Sequence, residues 1–403
     1  MASSIPLLIS VDDHVVEPPD LWERWLPARF KERGPHVVRS GYHITDVNEG
    51  HGVQTMQSSG PQVDWWVYED VKKLMLVTGH WNGESRDDIA AQPISFEEMP
   101  ASFYDPAERL KAMDINHTER SMCFPNAVPR FCGQTFSENS DHELGLACIR
   151  AYNDWMIEEW CGSSGGRLIP LCIIPLWDPF LAAEEVRRNA ARGCRAIAFS
   201  ELPSNLGLPS IHANRYWDPL FEACNETGTV VCMHIGSGSK MPTSSPDAPK
   251  CVRIALTNQN AMSAFADWLL SGTLMRFPNL KIAFSESQIG WIPFMLERID
   301  NVFLKSYKWA QFDPSVTDLP SLQVPGRVYG CFFEDTFGIE SRNAIGIDQI
   351  TFEVDYPHQD STFPHTLDYI TPAVAGLTDD EIYKVVRGNA INMLGLPREL
   401  DAV

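Results

Sequence analysis

Two side chains at the end of the first apolar run suggest chemistry. Residues 7–18 read LLISVDDHVVEP, a β-favouring stretch that ends in Asp12, Asp13 and His14. On a strand, residues i and i+2 share a face, so Asp12 and His14 project together and Asp13 points away. A carboxylate oxygen beside an imidazole nitrogen is half of a metal site. The competing reading is an acidic turn after a strand. Similar residues recur where later apolar runs stop. His234 follows VVCM, Glu286 follows KIAFS, and Asp355 follows TFEV with His358 three residues on. Taken singly, a strand-end His is more often hydrogen-bonded than metal-bound, and a strand-end Asp is commonly a helix cap. Recurrence favours the metal.

Residues so far apart in sequence need a fold that gathers them. After the opening run, apolar stretches at 120–125, 167–175, 194–200, 229–234, 281–286, 328–334 and 349–355 predict seven more strands. Helical patterns from 105 and at 142–158, 179–191, 217–227, 261–277, 291–305 and 379–393 alternate with them. The expected class is therefore α/β, a (β/α)8 TIM-type barrel, whose strand ends converge on one face. A doubly wound open sheet is the alternative, although no Gly-x-Gly-x-x-Gly follows a strand. The organisation expected is one barrel domain over 1–403 with an insertion at about 37–105. That insertion is rich in Gly, Ser, Asn and Gln and reads as a small β element with loops. It would serve as a lid or pocket wall, with a dimer contact as the competing use. Asp20 is expected to cap a short helix bearing Leu21, Trp22, Trp25 and Leu26.

Composition narrows the partners. A net charge of −21 without any basic block argues against nucleic acid. Ten scattered cysteines with no C-x-x-C pair read as buried thiols rather than a zinc ribbon. MASSIPLLIS lacks the charged start of a signal peptide, and no apolar run approaches the roughly 18 residues of a membrane span. The expectation is a cytoplasmic protein with a small-molecule substrate and no membrane or nucleic-acid partner, assembled as a homo-oligomer, a dimer.

The chain resembles a known family over nearly its whole length. VDDHVVEP at 11–18, WDPLFEAC at 217–224, CMHIGSGS at 232–239 and FPNLKIAFSESQIGWIPFMLERID at 277–300 carry the resemblance. So do VDYPHQDSTFP at 354–364 and RGNAINMLGL at 387–396. They are similar to the aminocarboxymuconate-semialdehyde-decarboxylase-like branch of the amidohydrolase superfamily. The resemblance implies a metal-dependent barrel with one divalent ion, zinc first, held by Asp12, His14, His234 and Asp355. Two departures matter. Asp12 stands where many members have His, which makes manganese or iron more competitive. Glu286 stands where several of the decarboxylases have a His.

These residues define the expected chemistry. Asp355 is the candidate general base beside a metal-activated water, and Glu286 a second base or substrate anchor. His358 would bind or protonate substrate, or only support the site by a hydrogen bond. The leading expectation is hydrolysis of an amide or cyclic C–N bond. The alternatives are non-oxidative decarboxylation of an aromatic or unsaturated acid, and a barrel that binds a small molecule without turnover. Decarboxylation calls for cations near the pocket, for which Arg130 and Arg253 are the candidates.

Overall fold

The computed structural model describes residues 5–45, 53–77 and 92–400. All eight residues of the first strand, β1 (Leu8–Val15), are buried, as expected of a strand covered on both faces. An excursion follows. It holds an antiparallel sheet of β2 (His36–Thr45), β3 (Val53–Gln57), β4 (Gln62–Tyr68) and β5 (Val71–Leu74), then a short pair, β6 (Leu76–Val77) and β7 (Gln92–Pro93). The main chain of parallel strands resumes with β8 (Thr118–Pro125), β9 (Leu168–Ile169), β10 (Leu171–Cys172) and β11 (Ala196–Ser200). It finishes with β12 (Val230–His234), β13 (Ile282–Ser285), β14 (Val328–Phe332) and β15 (Ile350–Phe352).

The hydrogen-bonded order of this sheet is β10-β11-β12-β13-β14-β15-β1-β8-β9. Its two ends, β9 and β10, are halves of a single stretch separated by Pro170. Proline has no N–H to give to a ladder, so the strand is broken there. The nine segments are thus eight strands, and the ring closes through the interrupted third one. This is the (β/α)8 barrel expected from the sequence.

Helices between the strands start where the sequence supplies caps. Asp105 accepts from the Glu108 amide (2.9 Å), Asp141 from that of Leu144 (3.0 Å) and Asp178 from that of Phe180 (2.9 Å). Asp20 is a correction: its side chain caps nothing and instead pairs with Arg24 at 2.9 Å. The run at 261–277 also divides. Gly272, at φ +69°, separates the helix Gln259–Leu270 from the turn Thr273–Arg276.

Alternation in β4 explains how the excursion is attached. Val63 and Trp65 form a small core with Leu74 inside the antiparallel sheet. Trp66 and Tyr68, of opposite parity, join the main core, where Trp66 meets the Trp22 ring edge-on at 5.3 Å. Both faces are buried, so the strand shows no clean polar-apolar alternation.

Candidate active site

The alternation of β1 separates its two aspartates. Asp13 takes a hydrogen bond from Ser121 on β8 and another from the Tyr356 amide at 2.9 Å, tying three chain segments together. Arg109 donates to the His14 carbonyl at 2.6 Å and fixes the same strand end. Asp12 and His14 point the other way, both fully buried.

His234 arrives at the end of β12. Its Nδ1 lies 2.6 Å from the Ile235 carbonyl, so this nitrogen carries the proton and Nε2 presents a lone pair. The ring stacks on Phe131 at 4.2 Å, and its Nε2 stands 3.1 Å from the Nε2 of His14.

Glu286 and Asp355 lie just beyond strands that end sooner than the sequence pattern suggests. Glu286 follows β13 by one residue at φ +55°, and Asp355 follows β15 by three at φ +59°. Both are non-glycine residues in the left-handed region, a conformation that accumulates at functional sites. Hydrogen bonds hold them there: the Asp355 amide donates to the Asp12 carbonyl (2.9 Å) and the Glu286 amide to Glu353 Oε2 (3.0 Å). Glu286 Oε2 then reaches His234 Nε2 at 3.1 Å. Asp355 Oδ1 lies 3.3 Å from His14 Nε2 and 3.2 Å from His358 Nδ1. His358 stacks on His14 at 3.5 Å, and its other nitrogen is 3.3 Å from the Asn126 side chain.

All six predicted residues, Asp12, His14, His234, Glu286, Asp355 and His358, are therefore brought together. Their environment suits a cation. Both oxygens of Asp12 and both of Asp355 are buried with no hydrogen-bond partner. Burial, reinforced by neighbouring carboxylates, holds Asp12, Glu286 and Asp355 well above the usual carboxylate range. Burial also pushes the imidazoles down, His234 to about 3 and His358 to about 4, which keeps them neutral as metal ligands must be. Orphaned oxygens, mutually repelling carboxylates and neutral imidazoles fit a bound divalent ion.

Above these residues opens a cavity of about 770 Å³, with Glu286 and His358 in its lining. Arg130 and Arg253 both line it. So does Lys73 from β5, which sequence patterns gave no reason to select. Glu353 was also missed, although it lies two residues before Asp355 and the same i, i+2 argument would have found it.

An amidohydrolase family model matches residues 65–396. The chain belongs to the amidohydrolase family. It is an enzyme of that family, and similarity to solved structures agrees on the barrel. An amidohydrolase from Mycobacterium avium subsp. paratuberculosis K-10 is 21% identical with a TM-score of 0.73, over 98% of this chain and 100% of that one. The 5-carboxyvanillate decarboxylase of Sphingomonas paucimobilis is 21% identical with a TM-score of 0.56, over 74% and 86% of the two chains. A dihydroxybenzoic acid decarboxylase from Polaromonas sp. JS666, solved with manganese and 2-nitroresorcinol, is 16% identical with a TM-score of 0.59, over 97% of each. No curated protein matches. Among the described residues, no helix is long and apolar enough to cross a membrane.

Proposed function

We propose that this enzyme is a metal-dependent, non-oxidative decarboxylase of small organic acids. The observation that carries the reading is Asp355, whose Oδ1 lies 3.3 Å from His14 and 3.2 Å from His358, beneath a cavity lined by Lys73, Arg130 and Arg253. A cationic lining suits an anionic substrate better than a neutral amide. Decarboxylases among the solved structures of this fold support the same choice over the hydrolysis favoured by the sequence.

Asp12, His14, His234 and Asp355 would hold one divalent ion. When bound, it supplies an electrophilic anchor for the substrate carboxylate. Two carboxylates beside two imidazoles form a harder set than imidazoles alone, which makes manganese more competitive with zinc. The protein's own residues handle the proton. As the bond to the carboxyl carbon breaks, CO₂ departs and its electron pair stays on the substrate carbon. Asp355 delivers a proton to that carbon, and His358 restores the proton from the cavity side. Glu286, 3.1 Å from His234 Nε2, closes the floor.

The test is product analysis of the metal-loaded protein with aromatic and unsaturated acids and with amides. Release of CO₂, with one deuterium entering the product in D₂O, is expected. Carboxylic acid release from an amide, without CO₂, would restore hydrolysis. Acid binding without turnover would leave a binding barrel.

We also propose a cytoplasmic homodimer built from a single barrel domain, with the excursion at about 37–105 as pocket wall. Nine buried free thiols among ten suit a reducing compartment. Phe294, Leu304 and Trp309, at 64%, 69% and 74% exposure, offer an apolar face for a second copy. Sedimentation velocity showing a monomer would remove the dimer.

A further inference from the structure

Three cations line one cavity in a chain of net charge −21. The overall field repels anions, so a local cationic lining is a specific feature rather than a reflection of composition. The three are not equivalent.

Arg130 is already engaged. Its Nη1 lies 2.9 Å from both oxygens of Glu138, and Nη2 donates to Ser239. Arg130 and Ser239 both adopt positive φ, +57° and +61°, so this contact fixes two strained loops, those after β8 and β12. It serves as a brace.

Arg253 is different. It is half-buried on the short helix Lys250–Ala255 and lines the cavity. Its guanidinium has no hydrogen-bond or ion-pair partner among the described residues. A planar fork of five donors left unpaired beside a cavity is suited to a carboxylate.

Lys73 has two of its three protons in use. Nζ donates to the carbonyls of Asn126 (2.9 Å) and Ala127 (2.7 Å). These contacts hold the ammonium in place and leave one donor. The anions on the same lining are Glu286, which faces His234, and Asp360, which has a partner of its own.

We propose that Lys73 and Arg253 form a second anion subsite, so that the substrate is an organic diacid. One carboxylate lies at the metal floor and a second anionic group at these two cations. The cavity of about 770 Å³ has room for such a molecule. This deepens the decarboxylase reading and rests on it.

The experiment is calorimetry on manganese-loaded enzyme with matched probes: benzoate against isophthalate, and 2-naphthoate against naphthalene-2,6-dicarboxylate. At least one diacid should bind about tenfold or more tightly than its monoacid, the gain expected of a charge-assisted hydrogen bond. Arg253→Gln should abolish most of that ratio and Arg253→Lys should keep part of it. Lys73→Met should lower it further, with a melting curve separating lost binding from lost fold. Monoacid binding with no gain for either diacid would overturn the subsite and leave the decarboxylase reading standing. A gain that survives Arg253→Gln would also overturn it. Failure of every acid to bind would remove the decarboxylase reading and the subsite together, whereas CO₂ release tests the former alone.

Discussion

The Nε2 atoms of His14 and His234 stand 3.1 Å apart across 220 residues of sequence. With Nδ1 of His234 protonated toward Ile235, its Nε2 brings a lone pair to the meeting point. Asp12 and Asp355 add four unpartnered oxygens nearby. The purified protein should carry about one divalent ion per chain, and His234→Ala should lose it in a metal analysis. Full occupancy in that variant would take His234 out of the ligand set.

Asp355 should be worth more than a ligand. Asp355→Asn keeps the shape and one weak ligand oxygen but cannot carry the proton between His358 and substrate. Turnover should fall by ~10²–10⁴-fold, the usual loss when an acid-base group is removed. Metal content should fall less than in His234→Ala. Near-normal turnover at saturating manganese would mean that the carboxylate only binds the ion.

Glu201, which braces the loop after His234, carries a stability signature. Its Oε1 accepts from the Gly236 amide and from Asn260, both at 3.0 Å, while Oε2 is buried without a partner. Burial pushes its carboxyl from 4.5 up to about 7. The native state therefore keeps a proton that the unfolded chain gives up first. This contribution is complete below pH 4.5 and declines as pH rises toward 7, by about 3 kcal/mol in all. Urea midpoints should drop across that window in the wild type, and Glu201→Gln should flatten the slope. An unchanged slope would assign the pH dependence elsewhere.

Trp291 should matter for folding. Its indole donates to the Ser287 carbonyl at 2.8 Å and meets Phe265 edge-on at 5.3 Å. The ring is half-buried and absent from the cavity lining. Trp291→Ala should cost about 2–3 kcal/mol in denaturant, below the ~3–5 of a fully buried ring. A stable but inactive variant would place it in substrate binding.

Much of this site was legible in sequence because a strand has a period of two and a parallel barrel puts its strand ends together. Asp12, His14 and His234 follow from those two facts. The positions of Glu286 and Asp355 followed too, but not their backbone: the strands stop early and left-handed residues turn both carboxylates inward. Glu353 was within reach of the same periodicity. Lys73 was not, since its place depends on how the antiparallel sheet docks, through Trp66 and Tyr68, onto a barrel built mostly from later residues. Arg253 was visible as a cation in a loop region, whereas its lack of a partner is a property of the fold alone.

The proline at position 170 divides the labour around the ring. Before it, Leu168 and Ile169 pair only with β8, and after it, Leu171 and Cys172 pair only with β11. Asn153 stitches the gap from outside, exchanging two 2.9 Å hydrogen bonds with the Ile173 backbone. The residues expected to hold metal come from the first, fifth and eighth strands, two or three places around the ring from this seam. A barrel interrupted away from its ligands can breathe there without spreading them. Amide hydrogens near the seam should exchange ahead of those in β12 and β13, giving the enzyme a yielding flank and a stiff one.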